Sequence, residues 1–378
     1  MPREVLDEAP FDGGVDEATL PGVSVRLLQT ALEPIRLACE KKSVVPDFRY
    51  LQINPDNMVI IGSMASVKVY INLGFDHAFS IDAQTFCGVI SFLVPEARVI
   101  FDLKYGVLTW KSGNARGKLA TLEPKNLAFD FNMQPKDWPH ESLVSPNMFG
   151  SLAIMGAVSG NNNMLAGGSF CGVVVYPDGP MTRVVSTDNA TLALAWGALE
   201  TPCDVPIYLH PSSLPLIAAM AKREGRFFFN QKAVAFKGSG VSVFVNQITE
   251  PKFDFLQVAE KYANGNMSAK INKDALLLYT KRVAELSERS NRAIVSLTVT
   301  KTGITLKFSE GTIENEEDFD VATLEDLPSN MELRIGADNL ANALARCDEV
   351  ILDFVDRNVL VFQGTNFQYI VSGKPKIV

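Results

Sequence analysis

The chain has 378 residues, with 43 acidic and 35 basic side chains and a formal charge of −8. Hydrophobic residues make up 47% and charged residues 21%, the balance of a folded soluble protein, which excludes disorder across the whole length. No stretch approaches the ~20 apolar residues of a membrane helix, and the acidic start MPREVLDEAPFDGGVDEATL does not read as a signal peptide.

The first 20 residues, with 1 basic and 6 acidic side chains, read as an extra acidic arm. A helix follows over VRLLQTALEPIRLACEKK (25–42). Next come a strand end, a helical stretch and a strand over SIDAQTFCGVISFLVPEARVIFDL (80–103). LTWKSGNARGKLATL (108–122) then reads as a strand pair turning at Gly113.

This order recurs twice. The second round has a helix over SPNMFGSLAIMGAVSG (145–160), then YLHPSSLPLIAAMAKREGRFFF (208–229), then VAFKGSGVSVFVNQI (234–248) turning at Gly238. The third has NKDALLLYTKRVAELSERSN (272–291), RIGADNLANALARCDEVILDF (334–354) and LVFQGTNFQYIV (360–371), turning at Gly364. The three turn glycines are 125 and 126 residues apart, a third of the length. Within 272–291, Leu276, Tyr279, Val283 and Leu286 make one apolar stripe, with Lys281, Arg282 and Arg289 opposite.

The expectation is an α+β chain of three similar repeated domains, each with helices on one face of antiparallel sheet. Boundaries are expected in the polar stretches FNMQPKDWPHES (131–142) and TEPKFDFLQVAEKYANGN (249–266). That gives an arm over 1–20 and domains over 21–135, 136–253 and 254–378.

Catalytic signatures are missing. Cys39, Cys87, Cys171, Cys203 and Cys347 are odd in number and far apart, so reduced thiols are expected rather than disulfides or zinc. GGSFCG (167–172) has no following Lys-Ser or Lys-Thr and is no P-loop. His77, His140 and His210 stand in no motif. The acidic run ENEEDFD (314–320) lacks the spacing of a calcium loop and reads as a solvated edge or loop. No enzyme, cofactor or metal site is expected.

Three segments carry a family resemblance. VVSTDNATLALAW (184–196) resembles the second-domain signature of bacterial β sliding clamps, a Thr-Asp pair after a strand and before a Leu-Ala pair. RVAELSERSNRAIVSLTV (282–299) is similar to the helix–turn–strand of their third domain, and FDFLQVAEKY (253–262) to the linker into it. The resemblance covers residues 21–378 and agrees with the repeat. Asn189, Ala190 and Thr191 stand where the family has Gly-His-Arg, and Gln257 where it has Arg. SGKPKIV replaces the family's Met-Pro-rich tail. These departures suggest a divergent member, with a viral source among the readings.

The resemblance implies a cytoplasmic, membrane-independent replication protein of a bacterial or infected cell. Two chains would close head to tail as a ring around duplex DNA, inner helices lining the hole. The ring would tether the replicative DNA polymerase, confer processivity and be loaded by a clamp-loader ATPase. The alternative is a clamp-like structural or decoy protein that binds polymerase peptides without encircling DNA.

By the resemblance, sequence-independent DNA contacts fall to Arg36, Lys41, Lys42, Lys222, Arg223, Lys281, Arg282, Arg289 and Arg346. A partner-peptide cleft between the second and third domains would include Phe170, Thr187, Leu192, Phe253, Val258, Ile370, Val371 and Ser372. The ring interface would involve Leu286, with Glu285 where an apolar residue is usual and Gly117 where an aromatic is usual. The charge is uneven: −5 in the arm, +2 over 21–253 and −5 over 254–378, which suits an acidic exterior with basic inner helices.

Overall fold

A computed structural model describes residues 22–40, 45–125, 129–132, 138, 140–142, 172–178, 181–187, 191–198, 206–248, 254–262, 267–271, 273–286, 294–299, 303–310, 312–319, 331–344, 350–356, 359–364 and 367–372. The acidic arm and the helix expected over 145–160 lie outside them.

In chain order the first elements are β1 (Val23–Ser24), α1 (Val25–Ala38), β2 (Tyr50–Ile53), β3 (Asn57–Ile61), β4 (Ala65–Tyr70) and β5 (Phe79–Asp82). Then come α2 (Ala83–Ser91), β6 (Arg98–Lys104), β7 (Val107–Ser112), β8 (Ala115–Leu122) and β9 (His140–Ser142). The middle holds β10 (Gly172–Asp178), β11 (Met181–Thr187), β12 (Thr191–Ala198), β13 (Ile207–Leu209), α3 (Leu214–Met220), β14 (Arg226–Phe229), β15 (Ala233–Gly238) and β16 (Val241–Asn246). There follow α4 (Phe255–Tyr262), β17 (Met267–Ile271), α5 (Lys273–Leu286), β18 (Ile294–Val299), β19 (Ile304–Glu310) and β20 (Ile313–Phe319). The last are β21 (Met331–Gly336), α6 (Ala337–Leu344), β22 (Val350–Asp356), β23 (Val359–Gly364) and β24 (Phe367–Ser372).

The expected helix–strands–helix–strands order is present in the first and third rounds, and all three hairpins form. Gly113 opens the β7–β8 turn at φ 56°. In the β15–β16 turn Ser239 and Gly240 have φ of 48° and 67°, the paired positive values of a turn that matches strand twist.

The chain forms two compact units, Met1–Pro146 with Pro215–Gln247, and Asn147–Leu214 with Ile248–Val378. The segment expected as the second domain therefore contributes to both. The reason is strand pairing. In the first unit a 12-stranded antiparallel sheet runs β1-β6-β7-β8-β5-β2-β3-β4-β16-β15-β14-β9. At its middle Val241, Val243 and Val245 face Val69, Val67 and Ala65, so the sheet runs past the sequence boundary.

Helix α1 covers one face of β3 and β4 and packs on α2. Ser24 starts it by accepting from Leu27 N, and Val25, Leu28, Leu32 and Ile35 form its buried stripe. β16 is buried over Val241–Val245 because Phe244 is covered by aromatic side chains. Phe129, Phe131 and Trp138 stand with ring centroids 5.3, 5.6 and 5.7 Å from that of Phe244. The stretch expected as a plain boundary thus supplies part of the core.

The second unit has an eight-stranded sheet, β13-β10-β11-β12-β24-β23-β22-β17, and a four-stranded sheet, β20-β19-β18-β21. α5 and α6 pack together, α5 against β20 and α6 against β21. Leu276, Tyr279 and Val283 are buried on α5, the stripe its spacing predicts, while Leu286 at its end is exposed. Within the stretch likened to a linker, Phe255–Tyr262 forms the helix α4. Asp254 Oδ1 accepts from Leu256 N and Gln257 N at 3.0 and 3.2 Å, and the helix lies on β11 and β12.

Candidate functional site

The candidate cations divide by environment. The buried stripe of α1 leaves Arg36 exposed in its last turn. Lys222 is exposed in the turn after α3. Arg223, next to it, is different: its guanidinium donates to Thr30 O at 2.7 Å and Glu33 Oε2 at 3.1 Å, and its side chain is 9% exposed. On α5, Lys281 and Arg282 are exposed, and Arg282 pairs with Glu317 at 3.1 Å. Lys41, Lys42, Arg289 and Arg346 lie outside the described residues.

A hollow of about 290 Å³ between α1 and α2 is lined by Gln29, Glu33, Arg36, Cys87 and Ser91 among others. Burial pushes the Cys87 thiol up to about 12, so it is protonated and a poor nucleophile. Cys39 is likewise free and raised by burial, with Asp82 and Glu40 adding to the shift. Burial holds His210 below the usual histidine range, and its Nδ1 lies 2.7 Å from Ser212 Oγ and accepts from Ser212 N at 3.2 Å. That contact organises the short turn Pro211–Ser213, a structural role.

Three candidate cleft residues fall on one row across adjacent strands. Thr187 on β11 faces Leu192 on β12, which faces Ile370 on β24. Val371 pairs with Thr191 one step along, and Ser372 ends β24. Leu192 and Ile370 are only 7% and 5% exposed and belong to a cluster with Val174, Val185, Leu194 and Val361. Leu256 of α4, Tyr176, Trp196 and Tyr208 pack against that cluster half-buried. Val258 lies on α4, and Phe170 and Phe253 lie outside the described residues. The row is formed by the sheet; Leu192 and Ile370 serve as its core.

Sequence reasoning missed the groups that hold α4 in place. Arg183 Nη1 on β11 donates to Glu260 Oε1 on α4 at 2.5 Å, and Leu256 enters the apolar cluster. The signal available was the helical spacing of Leu256 and Glu260 within a stretch read as linker.

Two of the interface candidates are exposed and Gly117 is half-buried. Glu285 and Leu286 are exposed at the end of α5. Gly117 faces Trp110 across the β7–β8 hairpin, and a Cβ at Gly117 would fall 2.7 Å from the indole. The ring of Trp110 therefore lies over Gly117. Residues 314–319 of the acidic run lie on β20, an edge strand, as the solvated-edge reading expects.

No protein-family model matches the chain, and no curated protein matches it in sequence. Solved structures do match. The DNA polymerase III beta chain of Streptococcus pneumoniae aligns with TM-score 0.72 at 14% identity, covering 93% of this chain and 98% of that one. A DNA polymerase sliding clamp from Bacillus subtilis gives 0.70 at 14% identity over 93% and 98%. The Helicobacter pylori beta clamp, solved with a DNA ligase peptide, gives 0.69 at 15% identity over 93% and 99%. The chain has the fold of the bacterial DNA polymerase III beta sliding clamps, far diverged in sequence.

Proposed function

We propose that this chain is a DNA sliding clamp, a non-catalytic ring that encircles duplex DNA and tethers a replicative polymerase to its template. The observation that carries this reading is the extent of the fold: the likeness takes in 93% of this chain and 98 or 99% of beta clamps from several bacteria. A protein that kept only a binding module of the fold would have no need of that full length.

In this reading three domains, 21–135, 136–253 and 254–378, make up each chain, and two chains join head to tail. Arg36, Lys222 and Lys281 supply exposed positive charge for phosphates without reading bases. Arg282 adds to them from its pair with Glu317, and the charge of Arg223 is partly spent on Glu33. A partner peptide, from the polymerase or the clamp loader, docks beside α4 at the β12–β24 junction. Apolar anchors would meet the half-buried Leu256, Tyr176 and Trp196 rather than the buried row beneath.

The test is topological. Purified protein is loaded on nicked circular DNA and followed after the circle is cut. Retention on the circle, release on linear DNA and longer products from the cognate polymerase are the expected results. Equal retention on both forms, with product length unchanged, would sink the proposal.

A further inference from the structure

The hollow between α1 and α2 has an apolar floor and a charged rim. Leu32, Ile90 and Leu93 line its floor, each buried in the helix pair. Phe92 and Val94, on either side of Leu93 in the chain, are 90% and 63% exposed, so apolar surface flanks that wall. At about 290 Å³ the space suits one large side chain, since pockets for whole small molecules start near roughly 300 Å³.

The rim groups are not equally available. Gln29 Nε2 donates to Ile90 O and Leu93 O, both at 3.0 Å, and so ties α1 to the loop after α2. Glu33 is held by Arg223 at 3.1 Å. Arg36 is exposed, and among the described residues no ion pair joins it to an acid. The hollow therefore offers a greasy socket beside an open positive charge, a fit for an aromatic side chain next to a carboxylate.

The chain carries such a pair close by. The acidic arm joins the described residues at Gly22, beside the wall of the hollow. Val25 N donates to Ala97 O at 3.0 Å and Arg26 N to Pro95 O at 3.1 Å, and Pro95 lines the hollow. Arg98 Nη2 donates to Gly22 O. Gly22 has φ of 96°, and a Cβ there would lie 2.6 Å from Val99 O, so a glycine is required at this bend. The arm holds six acids and one base, and its one aromatic residue, Phe11, is followed by Asp12. Eleven residues separate Phe11 from Gly22, a reach of up to about 36 Å. The whole of α1, 14 residues, is only about 21 Å long.

We propose that the acidic arm docks in the hollow between α1 and α2, with Phe11 on the apolar floor and Asp12 against Arg36. Tethering favours this occupant over a free peptide, because a short flexible link supplies an effective concentration on the order of 1 mM. Arg36 is a phosphate contact in the clamp reading, and on that reading the arm competes with DNA. An arm docked between half and nine-tenths of the time lowers DNA affinity by about two- to tenfold.

Disulfide trapping in the full chain tests the dock without DNA. Phe11→Cys, oxidised with diamide, forms an intrachain bond with Cys87, which lines the hollow, and peptide mapping identifies it. Val5→Cys, at the far part of the arm, is trapped at least about tenfold more slowly. In the Phe11→Cys chain, Arg36→Glu slows trapping about threefold, and adding Asp12→Arg restores it. Circular dichroism confirms that each variant is folded. Phe11→Ala, which changes no charge, raises affinity for duplex DNA at low salt by about two- to tenfold.

Equal trapping from both arm positions, bonds formed only between copies, or no recovery in the charge-swapped chain overturns the dock. Unchanged DNA affinity in Phe11→Ala overturns the competition for Arg36. The clamp reading fails separately. If trapping and its charge dependence hold but no chain is retained on circular DNA, the dock stands and the clamp falls. Retention on circles without trapping gives the reverse.

Discussion

Arg223 reaches across to Glu33 at 3.1 Å and to the carbonyl of Thr30 at 2.7 Å, tying the turn after α3 to α1. Its neighbour Lys222 is exposed. The two adjacent cations should therefore behave differently. Arg223→Ala is expected to lower stability by about 1–3 kcal/mol, since a buried charged hydrogen-bond network is broken. Lys222→Ala should stay within about 0.5 kcal/mol. Combined charge removal at Arg36, Lys222 and Lys281 should weaken DNA retention and flatten its salt dependence, with about one unit of log–log slope lost per phosphate contact removed. Thermal melts and a salt titration of DNA binding separate the two classes.

Asp82 starts α2. Its Oδ1 accepts from Thr85 N at 2.8 Å and Thr85 Oγ1 at 2.7 Å, and its Oδ2 from Arg49 at 3.1 Å. Burial works against the carboxylate, but the Thr85 and Arg49 contacts outweigh it and hold Asp82 below the usual range. A depressed folded value means the cap's contribution is present above the unfolded value and is lost as pH falls through the folded one. Asp82→Ala should cost about 1 kcal/mol at neutral pH. The difference from wild type should shrink in strong acid, as urea unfolding at two pH values would show.

Leu192 and Ile370 face each other inside a closed apolar cluster. Leu192→Ala should cost about 2–4 kcal/mol from lost burial and the cavity left behind. A drop in peptide affinity in that variant, measured by titration with a polymerase tail, must be read against its unfolded fraction. A stability change below ~1 kcal/mol would mean that the site is more open than its burial implies.

Tyr279 is buried under β20 and donates to Asn315 O at 3.1 Å. Burial, with the nearby Glu317 and Glu316 charges, raises its hydroxyl from 10.0 to about 12. A raised folded value gives stability that is intact below pH 10 and lost as pH climbs toward 12. Wild type should lose about 1–3 kcal/mol more than Tyr279→Phe over that window. Parallel slopes for the two proteins would contradict the assignment.

The repeat made the hairpins and most described helices legible, because turn glycines and 3–4 spacing are local signals. Leu276, Tyr279 and Val283 were readable as a stripe for that reason. The partners of strands were not. Nothing local in VSVFVN tells that β16 runs beside β4, nor in TLALAWGA that β12 runs beside β24. Asp254 and Leu256 looked like linker residues because a cap and one apolar contact suffice to set an eight-residue helix on a sheet. Among the candidate cations, exposure and spacing could not separate Lys222 from Arg223, since the difference is made by Glu33, 190 residues away.

The sheets have a consequence for how this protein could be divided or recombined. Its sequence repeats in thirds, but its hydrogen-bond ladders close half a repeat later, where β4 meets β16 and β12 meets β24. A cut between thirds strips a central strand of its neighbour and leaves two raw edges. Exchange of segments with a distant relative would have to trade half-repeats at matched ladder positions, because the thirds read along the sequence are not the units whose strands pair.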